Sequence, residues 1–278
     1  MKELLFKNYD INLEHYEDYN GGLLFVVAGV KYLFVKCDYN EAMLDGLNRE
    51  VSRLIRYNIK LHTLIKNNNG EYLSNGYVLM MVNVIDDEIS LYDIGLFNSV
   101  LVDSNEKYND MNSFWYRKID YIEQQVHDLS SNLLINNSID YYIGISEMIL
   151  ANLNNHLGIS KITLSHKYLK NLSSLEYYNP LNMSYDVWLK DICYYVKYKN
   201  DYKYMEKIID CLSDYEINYV FSRFCFPFDY FEEISDVILN KKNEGDLLRI
   251  VTNVDVYEQY LFDMERFFNI YIFEWIKK

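Results

Sequence analysis

Apolar and polar positions in the first 84 residues follow two periods, one typical of strands and one typical of a helix. Over residues 39–57 the period is helical, with Asp38 or Asn40 as the candidate N-cap and Glu41 in the first turn. Gly-containing turns at 20–22 and 67–70 separate the strands as in antiparallel hairpins. The pattern predicts the order β-β-β-α-β-β, with strands over 10–16, 23–27, 31–36, 59–65 and 77–82.

After residue 84 the helical period dominates. The segment 141–157 is apolar on most sides, which is typical of a buried central helix. The helical segments predicted here are 86–97, 111–129, 141–157, 188–198, 201–212, 215–226, 230–239 and one or two within 245–278. Together with the first 84 residues they predict an α+β chain with a small antiparallel β-rich lobe at 1–84 and a larger helical lobe at 85–278.

Composition narrows the function classes. The chain has 278 residues, 50% of them hydrophobic, and a formal net charge of −14. That charge argues against binding to nucleic acid or to an anionic membrane surface, because both need clustered Lys and Arg, and it leaves a basic protein partner open. The N-terminus lacks the pattern of a signal peptide, and the apolar run at 21–35 is too short to span a bilayer as a helix. We therefore expect a soluble cytoplasmic protein.

The cysteine and histidine spacings predict no metal site. The four cysteines lie far apart in apolar surroundings, which favours a role as small core residues in a reducing compartment. The five histidines show no spacing such as i, i+4 that would bring two of them to one metal ion.

A polar stretch from residue 162 to residue 195 carries the candidate chemistry. An apolar run ends at Ser165-His166, where a strand is expected to reach the surface. A loop with Tyr168 and Ser173 follows, and then a second polar cluster that begins at Asn179. The acids Asp186 and Asp191 stand at the start of the next helical segment.

These positions, in chain order after Lys36, resemble the landmarks of aminoglycoside phosphotransferase-like and choline kinase-like proteins. Within that group the chain resembles the spore-coat-associated proteins of Firmicutes of the CotS and YutH types. The segments that carry this second resemblance are 141–147, 185–192 and 223–231. The resemblance implies a protein-kinase-like fold of two lobes.

The resemblance also implies roles for individual residues, because phosphoryl transfer needs a Lys on the phosphates, ligands for Mg²⁺ and an Asp near the attacking hydroxyl. Lys36 matches the strand lysine, although a solvated lysine at a strand end is an equal interpretation. Its acidic partner would be Glu41 or Glu50, and an exposed helix acid is the simpler interpretation of both. The loop over the phosphates would be 16–22, whose two acids would repel a nucleotide.

The acids that perform the chemistry are missing from the two remaining motifs. In the family pattern His-Gly-Asp-x-x-x-x-Asn, His166 matches the His, Tyr168 replaces the Asp and Ser173 replaces the Asn. A phenol with an ordinary pKa near 10 is a poor general base at neutral pH. Asn179 stands at the first Asp of the metal loop, with Asn182 as an alternative alignment. An amide is a poor replacement for a carboxylate on a hard cation, so no metal ligand is assigned.

These replacements predict a catalytically degenerate kinase-like protein that binds a protein partner, possible partners including components of the spore coat, and that needs no cofactor. Asp186 and Asp191 would then be structural residues, Asp191 as an anchor of the catalytic loop or as a helix N-terminal acid. The first alternative is an active small-molecule phosphotransferase with a rearranged site, which would use ATP and Mg²⁺. The second alternative is a helix-rich interaction domain unrelated to kinases.

Overall fold

The computed structural model of the chain describes residues 1–19, 21–83, 88–100, 111–129, 133–169, 171–239, 243 and 245–277. The elements in the first part of the chain are α1 (Lys2–Tyr9), β1 (Glu17–Tyr19), β2 (Gly22–Val27), β3 (Val30–Lys36), α2 (Glu41–Ile55), β4 (Thr63–Ile65), β5 (Leu73–Ser74), β6 (Tyr77–Met81) and α3 (Leu91–Asn98). The later elements are α4 (Met111–Leu129), α5 (Leu133–Asn155), β7 (Ile162–His166), α6 (Ser174–Tyr177), β8 (Met183–Val187), α7 (Lys190–Lys199), α8 (Tyr202–Ile208), α9 (Asp214–Cys225), α10 (Phe228–Ile238), α11 (Gly245–Thr252) and α12 (Val254–Phe268). Short 3-10 helices cover Pro180–Asn182, Ile209–Cys211 and Glu274–Lys277.

Residue contacts divide the chain into two compact units. Unit 1 contains Met1–Val102 and Thr163–Tyr185, and unit 2 contains Asp103–Ile162 and Asp186–Lys278. Both units are discontinuous in sequence. The lobes 1–84 and 85–278 expected from the sequence are a division along the chain, and they stay a prediction.

Unit 1 is built on an antiparallel sheet, for which the described residues supply six strands in the order β1-β2-β3-β6-β4, with β5 also paired to β6. Because side chains alternate along a strand, the two faces of this sheet carry different residues. One face carries Leu24, Leu33 and Met80, which lie side by side in the strand register. The other face carries Leu23, Phe34 and Leu79 in the same way. Helix α2 packs on the first face through the fully buried Leu44.

The strand predicted over 10–16 is wrong. The chain instead begins with helix α1, which ends where Asp10 adopts the left-handed conformation with φ 56°. Leu5 from α1 and Leu13 from the following extended segment both pack on the second face of the sheet. The apolar alternation that predicted a strand thus reflects packing beneath the sheet, without backbone pairing.

The other local predictions in unit 1 agree with the structure. Strands β2, β3 and β6 and helix α2 lie where the periodicity placed them, and the predicted strand over 59–65 is shorter, as β4. Asn40 is the N-cap of α2, since its Oδ1 accepts a hydrogen bond from the Met43 N–H at 3.0 Å. The helix predicted at 86–97 is shorter, as α3, because Ser90 is its N-cap and residues 88–90 are not helical; residues 86 and 87, like Asn20 in the first turn, lie outside the described residues.

Unit 2 is helical. Its central helix α5 begins at Leu133, eight residues before the predicted start, and buries Ile145, Ile149 and Leu150 completely. It packs against α4 and α9. In the parts of the chain that the structure describes, no helix is both long enough and apolar enough to cross a membrane.

Candidate functional site

Strand β7 ends at His166, the residue that matches the motif histidine. The sequence predicted that this strand would reach the surface here, which is wrong, because the His166 side chain is 0% exposed. Its ring packs against Phe97, with ring centroids 5.1 Å apart, and Tyr177, at 4.2 Å, and those two rings also contact each other at 4.6 Å. Its Nε2 donates a hydrogen bond to the Tyr177 carbonyl oxygen at 2.6 Å. His166 therefore joins the end of β7 to the last residue of α6.

The next two residues are held to the segment after α6. The Lys167 N–H donates to the Asn182 carbonyl oxygen at 2.7 Å, and its ammonium donates to the Leu181 carbonyl oxygen at 2.9 Å and to the Tyr39 hydroxyl. Tyr168 and Asn182 exchange two hydrogen bonds: the Tyr168 N–H donates to Asn182 Oδ1 at 3.2 Å, and Asn182 Nδ2 donates to the Tyr168 carbonyl oxygen. The phenol of Tyr168 is 45% exposed.

Ser173 and Asn179 are both capping residues. Ser173 is the N-cap of α6, and its Oγ accepts from the Leu175 N–H at 3.2 Å. Asn179 caps the 3-10 helix that follows, and its Oδ1 accepts from the Leu181 N–H at 3.0 Å. The oxygens at both positions of the metal motif therefore satisfy backbone donors.

Residues 171–182, which we call the strap, lie on the first face of the sheet. Leu175 and Leu181 of the strap pack against the cluster that contains Leu24, Leu33 and Val35. The strap is held largely through its main-chain oxygens. Those of Leu175, Tyr177, Tyr178 and Leu181 accept hydrogen bonds from side chains or backbone outside the strap.

His62 provides two of these bonds. Its backbone N–H donates to the Tyr178 carbonyl oxygen at 2.9 Å, and its ring Nε2 donates to the Leu175 carbonyl oxygen at 3.1 Å. The side chain is 0% exposed, and burial lowers the pKa of His62 to about 4, further depressed by the positive charge of Lys31. The ring is therefore neutral at physiological pH, with its proton on Nε2.

The hairpin β1–β2 also contacts the strap. The Tyr19 hydroxyl donates to Glu176 Oε1 at 2.7 Å, and burial together with this bond raises the pKa of Tyr19. Gly22, which begins β2, has no room for a side chain, because a Cβ there would lie 2.3 Å from the Phe34 carbonyl oxygen. The loop at 16–22, which the resemblance assigns to phosphate binding, is therefore hydrogen-bonded through Tyr19 to Glu176 of the strap.

Lys36 and Glu41, the candidate phosphate-binding pair, have different surroundings. Lys36 is exposed at the end of β3. Glu41 points elsewhere: its two carboxylate oxygens accept hydrogen bonds from the N–H groups of Tyr72, at 2.6 Å, and Leu73, at 3.1 Å. The other candidate, Glu50, accepts from Arg53 at 2.5 Å and from the Tyr185 hydroxyl at 2.7 Å. The Arg53 guanidinium holds the pKa of Glu50 below its usual range.

Asp186 and Asp191 belong to unit 2, and each is 3% exposed. Asp186 accepts hydrogen bonds from the Val187 N–H at 2.8 Å, the Lys190 ammonium at 2.7 Å and the Tyr219 hydroxyl at 3.3 Å. Burial lowers the pKa of Lys190, against the pull of the Asp186 carboxylate. The ion pair of Asp186 with Lys190 is thus internal to unit 2, and the structural role of Asp186 stays a prediction.

Three contacts of the site have no signal in the sequence. His62, Tyr39 and Tyr19 come from parts of unit 1 that lie more than a hundred residues before their partners in the strap and in the loop that precedes it. A lone histidine or tyrosine in a strand-rich region is typical of core packing, and nothing in its spacing indicates a distant partner.

The four motif positions of the candidate site carry no carboxylate. The residues at the four motif positions are a histidine, a phenol, a hydroxyl and an amide, and the last two have oxygens engaged with backbone N–H groups. Over the described ranges, no group of three or more His, Cys, Asp and Glu side chains is arranged to hold a metal ion. The arrangement can accept and donate hydrogen bonds, but it places no carboxylate at position 168.

Solved phosphotransferases share the architecture. An aminoglycoside phosphotransferase from Alicyclobacillus acidocaldarius is 9% identical, with a TM-score of 0.59 over 97% of this chain and 96% of that chain. Spectinomycin phosphotransferase in complex with ADP and spectinomycin is 11% identical, with a TM-score of 0.53 over 94% and 92%. An amicoumacin kinase in complex with AMP-PNP, Ca²⁺ and Ami is 10% identical, with a TM-score of 0.50 over 86% and 87%.

No protein-family model matches the sequence, and no curated protein gives a significant match. The structural likeness establishes the fold alone: an α+β, aminoglycoside phosphotransferase-like kinase fold, as the sequence predicted. The alternative of a helix-rich domain depended on a chain without the strand-rich N-terminal part, and the sheet of unit 1 is present.

Proposed function

We propose that this chain is a kinase-like protein without phosphotransferase activity, which acts by binding a protein partner. The observation that carries the proposal is the state of Ser173 and Asn179. Both stand where active members of the fold are expected to hold Mg²⁺, and both are neutral. In each of them a side-chain oxygen accepts a hydrogen bond from a backbone N–H of the strap.

Two further observations support it. Tyr168 takes the place of the catalytic Asp, and its backbone is fixed by Asn182 rather than left to accommodate a substrate. The strap itself lies on the sheet face next to Val35, the neighbour of the candidate strand lysine. Both features favour a site organised for internal contacts over one organised for Mg-nucleotide.

The net charge of −14 favours a basic protein partner, because opposite charge accelerates encounter and like charge opposes self-association. Among the proteins that the sequence resembles, spore-coat-associated proteins act in assembly, and we extend that role to this chain. A fluorescent fusion expressed in a sporulating Firmicute is expected to collect at the coat. Uniform fluorescence through sporulation would remove the spore-coat part of the proposal.

Isothermal titration with Mg-ATP tests the loss of activity directly. We expect no binding below 1 mM that depends on Mg²⁺ and no release of ADP, whichever small alcohols or amines are supplied as acceptors. Submillimolar, Mg-dependent binding together with ATP turnover would overturn the proposal.

A rearranged active site is the competing function, and it requires Asp186 or another acid to replace the missing ones. Asp186 is poorly suited, since it is buried and bonded to Lys190 and to the Val187 N–H. If turnover is observed, Lys36→Ala and Asp186→Asn separate the cases. Turnover that neither substitution reduces would exclude this rearranged site as its source.

A further inference from the structure

The strap has a clamp that depends on one neutral histidine. His62 approaches the strap from the segment before β4 and holds it at Leu175 and Tyr178. The ring can donate to the Leu175 carbonyl oxygen only through Nε2, so the neutral ring leaves Nδ1 without a proton. Within the described residues, Nδ1 is buried and has no hydrogen-bond partner.

A proton that arrives at Nδ1 would therefore place a positive charge where the described residues supply no acceptor for it. Burying an uncompensated charge is costly, and the cost is relieved when the ring reaches solvent. The strap covers the ring on its Nε2 side, where the Leu175 carbonyl oxygen lies at 3.1 Å, so separation of the strap exposes that side to solvent. The structure thus couples protonation of this ring to separation of the strap from the sheet.

The charged groups around the ring do not relieve that cost. Lys31 on β3 acts on the ring and disfavours the imidazolium. On the strap, Glu176 is bonded to Tyr19, and Tyr178 donates its hydroxyl to Asp93 of α3. The neighbouring strands and helices thus supply one cation that opposes protonation and two carboxylates that are bonded to tyrosines.

We propose that His62 is an acid-sensitive clamp: protonation of Nδ1 releases the strap, residues 171–182, from the sheet while the sheet itself stays folded. The step is a proton transfer from solvent to Nδ1 with the Nε2 proton retained, and the opening that relieves the buried charge separates His62 from the Leu175 and Tyr178 carbonyl oxygens. Release uncovers Leu175, Leu181 and the sheet residues that they cover. The inference rests on the proposed function only in treating the strap as part of the binding site.

The direction of the pH effect follows from linkage. The pKa of His62 is about 4 with the strap closed and near the ordinary 6.5 when the ring is solvated. A group whose pKa is depressed in the closed state stabilises that state fully above pH 6.5, and this contribution is lost as the pH falls towards 4. At pH 5 the equilibrium constant for opening should be roughly 30-fold larger than at pH 7.5.

Amide hydrogen exchange of the full chain at pH 5 and 7.5, corrected for the intrinsic exchange rates, tests the clamp. The reporters are the N–H groups of His62 and Ile89, which donate to the Tyr178 and Leu172 carbonyl oxygens of the strap, and the reference is the β3–β6 ladder. We expect protection of the strap to fall about 30-fold while protection of the ladder is unchanged. A fall of both together, or of neither, would overturn the inference.

His62→Gln is the decisive variant, because its amide keeps a donor near the position of Nε2 and does not titrate. It should abolish the pH dependence of the strap, whereas His15→Gln, at an exposed position of the same unit, should retain it. Tyr19→Phe removes the bond to Glu176 and separates any contribution of that carboxylate. The same pH dependence in His62→Gln as in the original chain would reject the clamp.

A measurement on the unmodified chain covers the case in which His62→Gln does not fold. The imidazole nitrogen shifts of His62 report protonation of Nδ1, and their midpoint should coincide with the midpoint of strap exchange. Two separate midpoints would show that another group releases the strap. All these readouts are independent of nucleotide binding, so failure of the clamp and failure of the proposed function are distinguishable.

Discussion

Asn182 and Tyr168 hold each other through a reciprocal pair of hydrogen bonds. The Tyr168 N–H donates to Asn182 Oδ1 at 3.2 Å, and Asn182 Nδ2 donates back to the Tyr168 carbonyl oxygen. An amide side chain has both a donor and an acceptor, so it can copy the pairing of one strand residue with another. The pair fixes the loop after β7 against the end of the strap.

Asn182→Ala should destabilise the chain, because it removes both bonds and leaves two backbone groups unpaired. We expect a loss of about 1–2 kcal/mol in the free energy of unfolding, measured by denaturant titration. Asn155→Ala, at an exposed position of α5, is the matched control and should change it by less than about 0.5 kcal/mol. Equal effects of the two substitutions would show that the pair contributes nothing.

Restoring the missing acid at one position should not restore chemistry. Tyr168→Asp supplies a base, but Ser173 and Asn179 still leave Mg²⁺ unheld. We expect no Mg-dependent ADP formation from the single variant in a coupled assay. Phosphoryl transfer by this variant would mean that the metal site lies elsewhere, with Asp186 as the first residue to test.

The triple variant Tyr168→Asp, Ser173→Asn, Asn179→Asp is the smallest change worth assaying. It should fold, because Asn and Asp replace Ser and Asn at capping positions where all of these residue types are favoured. The thermal midpoint is the check on folding, and it should stay within a few degrees of the original. A large drop would mean that the strap cannot accept a carboxylate at position 179.

Glu41 and Lys36 should differ in what their removal costs. Glu41→Ala leaves the N–H groups of Tyr72 and Leu73 without their acceptor, and we expect a loss of about 2–3 kcal/mol in the free energy of unfolding. Lys36→Ala, at an exposed strand end, should cost less than about 0.5 kcal/mol. The reverse order would indicate that Lys36 has the structural partner and Glu41 does not.

Gly22 should be the least replaceable glycine of the hairpin β1–β2. An added methyl group would lie 2.3 Å from the Phe34 carbonyl oxygen and 2.9 Å from a Val35 methyl carbon, so β2 and β3 must separate. We expect Gly22→Ala to cost about 1–3 kcal/mol in chemical denaturation. Gly95→Ala in α3, where no atom lies within 4 Å, should be neutral or stabilise by up to about 1 kcal/mol.

Local sequence predicted the elements whose signals are local. Asn40 and the apolar spacing of α2 lie within a few turns of each other. A turn forms at 67–70, where the Gly70 N–H donates to the Asn67 carbonyl oxygen, but the described strands on either side of it do not pair with each other, and the tight hairpin turn lies at 75–76 between β5 and β6. Helix α1 was not predictable in this way, since it buries a single residue completely, Leu5, and is held by the sheet beneath it. Its existence depends on contacts that form only after folding.

For the candidate site too, the sequence predicted what is local and not what depends on distant contacts. The residue types at His166, Tyr168, Ser173 and Asn179 follow from spacing, and so does the absence of catalytic acids there. The partners of these residues do not follow from spacing. His62 is hydrogen-bonded to the carbonyl oxygen of Leu175, which is 113 residues later in the chain, and no sequence pattern indicates this contact.

The way the strap is held has a consequence for how this protein can vary. Donors outside the strap form hydrogen bonds with the main-chain carbonyl oxygens of residues 175, 177, 178 and 181. Every amino acid has such an oxygen. The residues that hold the strap through these bonds are therefore the donors, above all His62, His166 and Lys167. These acceptors do not depend on residue type, so a substitution at one of the four positions changes the side-chain contacts of the strap without removing its carbonyl acceptor.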